Sequence, residues 1–309
     1  VDAQTLIRGV AAGQDGVVTL AQARDAGLRK NEVDSLCRSG RWRRLALGTY
    51  LVDAHLVPDV PRRARIRAAV TSLGPRAVAV LDTAAELYGI AGLRPTPEIH
   101  VSVPVDEPRG QRFRDPSVVV HQLTLQRSAI AVASGIPATT PVRTVADVIL
   151  RADRLTAVSA IDSALNSQLL AVDDLAVVAG LIGGRRGAVA ARGFLTEADP
   201  RAQSPLETRV RLRCADGRVP PDTLQHEIRD EDGYLLGIGD LAWLRARIVG
   251  EADGRGPHSG PEALYQDRRR QNRLVNAGWS VLRFTWSDTL RPDYIPYAVR
   301  AALAAAHSR

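Results

Sequence analysis

The run GDLAWLRARIVGEADGRGPH, residues 239–258, reads like the inside of a β-sheet. Yet it seats three carboxylates, Asp240, Glu251 and Asp253, within or at the ends of its apolar segments. A carboxylate taken out of water costs several kcal/mol unless it is paired or holds a metal. Any fold this chain adopts must answer for these acids, and three settings are open: a metal site, a salt-bridge network or a solvated sheet edge. Alternation along a strand puts Glu251 and Asp253 on one face, and Asp240 can approach from the neighbouring strand. That arrangement suits Mg²⁺, which takes oxygen ligands, usually one or two carboxylates with waters and phosphate. Asp240 and Glu251 are the expected metal ligands. An ion there would offset the repulsion between the acids, activate water and stabilise a leaving oxygen. The opposing reading pairs Glu251 and Asp253 with Arg255, Arg269 or Arg283.

The surrounding segments predict a domain over residues 201–309. SPLETRVRLRC starts a helix with Ser204 as N-cap, Pro205 at its first position and Glu207 in its first turn. Strands are expected near 223–229, 234–244 and 246–252, then a helix from Pro261 to Ala277 closed by Gly278. A strand in WSVLRFTW and a last helix near 293–306 complete the pattern. The order α-β-β-β-α-β is that of the core shared by PD-(D/E)xK nucleases.

At 309 residues the chain is long for one core, and two or three domains are expected. A 45% hydrophobic, 24% charged composition is that of a soluble globular protein. No run of about eighteen apolar residues predicts a membrane span. The first residues lack the basic-then-apolar pattern of a secretory leader, so a cytoplasmic protein is expected. Cys37 and Cys214 are too few for a disulfide framework and read as small hydrophobes on helices. The net charge of +7 points to an anionic partner, although the excess is spread along the chain. Of the 41 basic residues only Lys30 is lysine, so the C-terminal half has none to offer for chemistry.

Residues 1–58 form the expected first domain, legible from Val17 onward. Thr19 caps a short helix ending near Ala26-Gly27, and a second helix over about 29–39 is closed by Gly40. Val33, Leu36 and Cys37 define its buried face. Two β-type runs, Arg41–Leu45 and Thr49–Val52, turn around Gly48. Helix, turn, helix and hairpin is the order of a winged helix-turn-helix. Residues 59–200 read as an α+β middle domain. It has helices over Arg62–Leu73 and around Val80–Tyr88, strands Glu98–Val105 and Ser117–Leu123, a helix near Thr144 and further helices to about Phe194. His100 and His121 read as ordinary sheet residues, and GGRRGAVAARGF (183–194) as a solvated helix start.

The pattern T-L-A-Q-A…G-L…L-C-R-S-G-R-W-R-R-L…G-T-Y resembles the N-terminal domain of AbiEi-type antitoxins, the DNA-binding half of type IV toxin–antitoxin systems. The middle segment G-I-P-A-T-T-P-V-R-T-V-A-D is similar to AbiEi-like actinobacterial proteins. The resemblance implies that Arg29, Lys30, Asn31 and Asp34 lie on the exposed side of a recognition helix. Arg38, Arg41, Arg43 and Arg44 would then sit at its end and on the wing, suited to phosphate contacts. The C-terminal pattern E-A-D-G…H…D-R-R-R-Q-N-R-L…G-W-S-V-L-R-F-T-W resembles Vsr-like, restriction-endonuclease-like domains. That resemblance makes Glu207, Asp240, Glu251, Asp253 and His258 the catalytic set. Asp267 and Arg270 correspond to a D-x-x-R helix motif, and Arg283 to the strand end. Two departures stand out. His258 comes one residue later than the usual spacing, and Asp253 stands where the nuclease superfamily has its lysine.

The expected architecture is therefore an α+β multidomain chain: a winged helix, an α+β middle domain and a Vsr-like nuclease-fold domain. The expected function is a DNA-binding transcriptional regulator resembling AbiEi-type antitoxins. Its partners would be double-stranded DNA and a nucleotidyltransferase-like toxin. The alternative is a Mg²⁺-dependent DNA endonuclease targeted by the winged helix. A protein–protein adaptor is the third reading.

Overall fold

The structure, a computed structural model, describes residues 2–107, 115–254 and 261–308. The chain forms two compact units, residues 1–90 with 94–148, and residues 91–93 with 149–309. Both are mixed α+β, as expected for the chain as a whole. The boundaries drawn at 58/59 and 200/201 each fall inside one of these units.

The first unit begins with α1 (Ala3–Ala12), β1 (Val17–Thr19), α2 (Leu20–Asp25) and α3 (Lys30–Arg38), followed by β2 (Arg43–Ala46) and β3 (Thr49–Leu51). Thr19 caps α2 through a reciprocal box with Gln22. Gly40, at φ 73°, closes α3 in the left-handed conformation that glycine adopts without strain. The three strands pair in the order β1-β3-β2. Ile7, Val18, Ala23, Val33, Leu36, Trp42 and Tyr50 form the core beneath them. The expected helix–helix–hairpin is present; α1 and β1 are additions to it.

The same unit continues with α4 (Arg62–Ser72), β4 (Val78–Ala79), α5 (Leu81–Tyr88), β5 (Ile99–Ser102), β6 (Val118–His121), β7 (Ile130–Ala133), β8 (Ile136–Thr139) and α6 (Pro141–Ile149). The five strands run β6-β5-β4-β8-β7. The helices and strands β5 and β6 match the expected segments; β4, β7 and β8 were not expected. Each of these three is four residues or fewer, too short to show an alternating pattern. The four arginines of α4 all pair with carboxylates of the same unit. Arg62 reaches Glu86, Arg63 and Arg67 both reach Asp15, and Arg65 reaches Asp115 at 2.7 Å. Arg67 also donates to the Gly135 carbonyl at 2.8 Å.

The second unit holds α7 (Arg154–Asn166), α8 (Asp174–Ile182), α9 (Ala188–Thr196) and α10 (Pro205–Asp216). It continues with β9 (Thr223–Arg229), β10 (Leu235–Trp243), β11 (Ile248–Ala252), α11 (Pro261–Asn276), β12 (Ser280–Phe284), α12 (Trp286–Thr289) and α13 (Tyr294–His307). The sheet order is β12-β11-β10-β9, parallel between β11 and β12 and antiparallel elsewhere. From α10 to β12 the elements follow the expected α-β-β-β-α-β order. Leu241 and Ala242 are chain neighbours but join different apolar clusters, as do Ile248 and Val249. The sheet is thus covered on both faces, by α10 and α13 on one and by α11 on the other.

Helix α7 is buried along most of its length, and at its centre Asp162 is 1% exposed. Its carboxylate accepts from Arg211 at 2.9 Å, the Thr208 hydroxyl at 2.8 Å and the Asp199 N–H at 2.7 Å. Burial pushes this carboxyl above its ordinary value, against the pull of those donors. Asp162→Ala, which strands the Arg211 guanidinium, is expected to cost about 3 kcal/mol in urea unfolding. Asp162→Asn, which keeps an acceptor for Thr208 or Arg211, should cost less.

Candidate functional site

The first candidate surface is α3 with β2. Val33 and Leu36 turn inward, leaving Lys30, Asn31, Asp34, Ser35 and Arg38 exposed along one face of α3. Trp42 is 4% exposed, donates its backbone N–H to the Leu36 carbonyl and packs against Tyr50, anchoring the start of β2 to the end of α3. Arg41, Arg43 and Arg44 are exposed around that anchor. Among the described residues Lys30, Arg38, Arg41, Arg43 and Arg44 make no ion pair, in contrast to the arginines of α4. Arg29 serves partly as structure. Its N–H donates to Glu32 at 2.7 Å, and its guanidinium lies 3.4 Å from the same carboxylate. Those two contacts hold Glu32 below the usual carboxylate range.

The second candidate lies in the sheet of the second unit. Gly239 and Leu241 of β10 pair with His226 and Leu224 of β9, which sets Asp240 opposite Gln225. The β10–β11 ladder ends at Leu241↔Gly250, and its register sets Asp240 opposite Glu251. Where the ladder stops, Asp240 Oδ2 takes over and accepts the Ala252 N–H at 2.8 Å. Gly239 is required just before it: a Cβ there would lie 2.6 Å from Val249 Cγ1.

Helix α10 delivers Glu207 to the same place. Ser204 caps the helix, and Glu207 reaches back so that Oε2 accepts the Gln203 N–H at 2.9 Å. The same oxygen accepts from Gln225 Nε2 at 2.8 Å, and Gln225 lies opposite Asp240 in the β9–β10 ladder. Gln225 therefore stands between the two acids. It does so at φ 51°, a left-handed conformation that costs a non-glycine residue about 1–2 kcal/mol. The alternation of β9 resets there, since Leu224 and Ile228, an even number of residues apart, join clusters on opposite faces.

Glu207 and Asp240 both titrate above their ordinary values, chiefly because burial disfavours their charge. The Asp240 charge raises Glu207 further, while the Gln203 and Ser204 donors pull it down. The Ala252 N–H, Arg270 and Gln225 pull Asp240 down. Glu251, 8% exposed, is differently placed: Arg270 lies 3.0 Å from Oε1 and Arg283 3.2 Å from Oε2. Arg270 also donates to the Ile238 carbonyl. Asp253, just past β11, is half-buried, and its N–H extends the ladder to Phe284 at 2.8 Å. His258 and the side chain of Asp267 lie outside the described residues.

Of the expected acids, then, Glu207 and Asp240 come together, and Glu251 stands beside them under two arginines. Arg283 was an expected partner of Glu251; Arg270 and Gln225 were not. Nothing local in the sequence marks Gln225, because its role depends on which strand neighbours β10. Among the described residues no group of three or more His, Cys, Asp or Glu is arranged to hold a metal. His100 and His121, read as sheet residues, touch: Nδ1 of His100 lies 3.0 Å from Nε2 of His121, with Glu98 3.3 Å from the other His100 nitrogen. No helix of the described residues is long and apolar enough to cross a membrane.

Residues 77–197 match the AbiEi antitoxin C-terminal domain family. Two Mycobacterium tuberculosis proteins, uncharacterized proteins Rv2248 and MT2308, are each 32% identical over 269 residues, covering 85% of this chain and 93% of their own length. A crystal structure of the RV2827C protein from Mycobacterium tuberculosis is similar at 15% identity, with a TM-score of 0.38, over 64% of this chain and 82% of that one.

Because the folded pKa values of Glu207 and Asp240 lie above the unfolded ones, their contribution is most favourable at low pH. It is lost as the pH rises through the folded values. Unfolding free energy should therefore fall as pH is raised through the range just above ordinary carboxylate values. Glu207→Gln should flatten that slope in denaturant titrations at a series of pH values.

Proposed function

This chain belongs to one family with Rv2248 and MT2308 of Mycobacterium tuberculosis and carries an AbiEi antitoxin C-terminal domain, and on that premise we propose that it is an antitoxin-like regulator that binds duplex DNA. The DNA-binding element is the winged helix made by α1 to β3, with α3 in the groove and β2–β3 as the wing. The observation that carries this reading is the division of labour among the arginines. Those of α4 are spent on internal carboxylates, whereas Arg38, Arg41, Arg43 and Arg44 are exposed beside α3 with no acidic partner among the described residues. Guanidiniums presented in this way suit phosphate oxygens. The antitoxin domain implies a toxin as the protein partner, and a nucleotidyltransferase-like toxin is the candidate.

Binding to duplex from the chain's own upstream region should weaken steeply with salt. Arg43→Ala with Arg44→Ala should weaken it across all sequences and lower the salt slope by about 1 for each phosphate contact removed. Unchanged binding by the double variant would remove β2 from the interface.

A second reading, a Mg²⁺-dependent endonuclease on a Vsr-like fold, is favoured by the convergence of Glu207, Gln225 and Asp240. The donor set fits a hard cation only in part. Asp240 and Glu207 offer buried carboxylate oxygens whose mutual repulsion an ion would relieve. Glu251 would first have to give up Arg270 and Arg283. If this reading is right, duplex is cut with Mg²⁺ or Mn²⁺, and cutting is lost with EDTA and with Asp240→Asn. A retained but uncut duplex leaves the regulator alone.

A further inference from the structure

We infer that Asp34 is a base-reading residue of α3, selecting a base that offers an amine in the major groove, cytosine first. This rests on the reading of α3 and β2 as a DNA-binding surface and deepens it.

Asp34 stands in the middle of the exposed face, one helical turn after Lys30 and one before Arg38. Among the described residues its side chain makes neither an ion pair nor a hydrogen bond, although cations flank it on both sides. On a surface that meets nucleic acid such a carboxylate is an anomaly. Phosphates share its charge and offer only acceptors. In the major groove guanine and thymine likewise present acceptors, and the donors are the cytosine N4 and adenine N6 amines. Over guanine or thymine the Asp34 carboxylate would shed water and gain nothing. Over cytosine it accepts from the amine without opposing another acceptor, whereas adenine places N7 beside its donor. Cytosine is therefore preferred.

The neighbours sharpen the assignment. Asn31 has its side-chain oxygen engaged by the Glu32 N–H at 3.0 Å, so a paired contact with adenine would have to share that oxygen. Arg38, Arg41, Arg43 and Arg44, around the end of α3 and on β2, suit phosphates, which carry no sequence information. Asp34 supplies discrimination where the arginines supply affinity.

The test is selection by the full chain from a duplex pool with a randomised core, at fixed salt, followed by sequencing of the retained duplexes. Wild type should enrich cytosine at one position of the retained site. Asp34→Ala should flatten that position, losing about tenfold discrimination, with the other positions and the salt slope kept. Asp34→Asn should shift the same position toward adenine. If both variants return the wild-type pattern, the assignment of Asp34 is overturned while DNA binding stands. If wild type retains no duplex at low salt, the DNA-binding reading itself falls, and the inference with it.

Discussion

The carboxylate of Asp162 is the fixed point of the second unit. It is 1% exposed in the middle of α7 and accepts three hydrogen bonds, two of them from Thr208 and Arg211 on α10. A buried acid tolerates few positions for its donors, because each one lost leaves charge without compensation. The rotation of α10 about its axis is set in this way. With Thr208 and Arg211 turned to α7, Leu206 and Val210 turn to the sheet core, and Glu207 is aimed at the end of β10. The meeting of Glu207 with Gln225 and Asp240 is a consequence of that rotation.

The same electrostatic accounting separates two groups of arginines that look alike in sequence. PRRARIRAA and RSGRWRRL are both dense in arginine. In the first, the four arginines are drawn to Asp15, Glu86 and Asp115, and the helix is tied to its surroundings by them. In the second, Trp42 and Tyr50 supply the anchorage and the guanidiniums are left to solvent. Only the second arrangement leaves charge for an external anion. Partnering, more than density, distinguishes a binding surface from a scaffold.

Within the acid cluster the three carboxylates differ in kind. Glu251 is neutralised by two guanidiniums. Asp240 closes the end of a strand ladder by taking the Ala252 N–H, and Glu207 ties down the chain ahead of α10 by taking the Gln203 N–H. Each acid thus has a structural task that explains its presence. What those tasks do not explain is the left-handed Gln225, strained at the junction of Asp240 and Glu207, with both raised in pKa. Strain and perturbed acidity at one point are the grounds for the alternative endonuclease reading of this cluster.

The amino-acid sequence by itself determined the elements whose signals are local. The Thr19 and Ser204 caps, the Gly40 stop, the inward Val33 and Leu36, and the strand–strand–strand–helix–strand run from Thr223 to Phe284 could all be read from caps, periodicity and turn residues. The short strands β4, β7 and β8 were illegible, since a few residues with one face in a sheet carry no period of their own. The acids were legible as candidates, but not their partners. Whether Glu251 meets a guanidinium, whether Gln225 stands opposite Asp240, and whether the α4 arginines are spent internally are decided by strand register and helix rotation. These bring residues far apart in the chain within hydrogen-bonding distance of one another. Hydrogen bonds act only at such short range, so only the tertiary structure could choose among them.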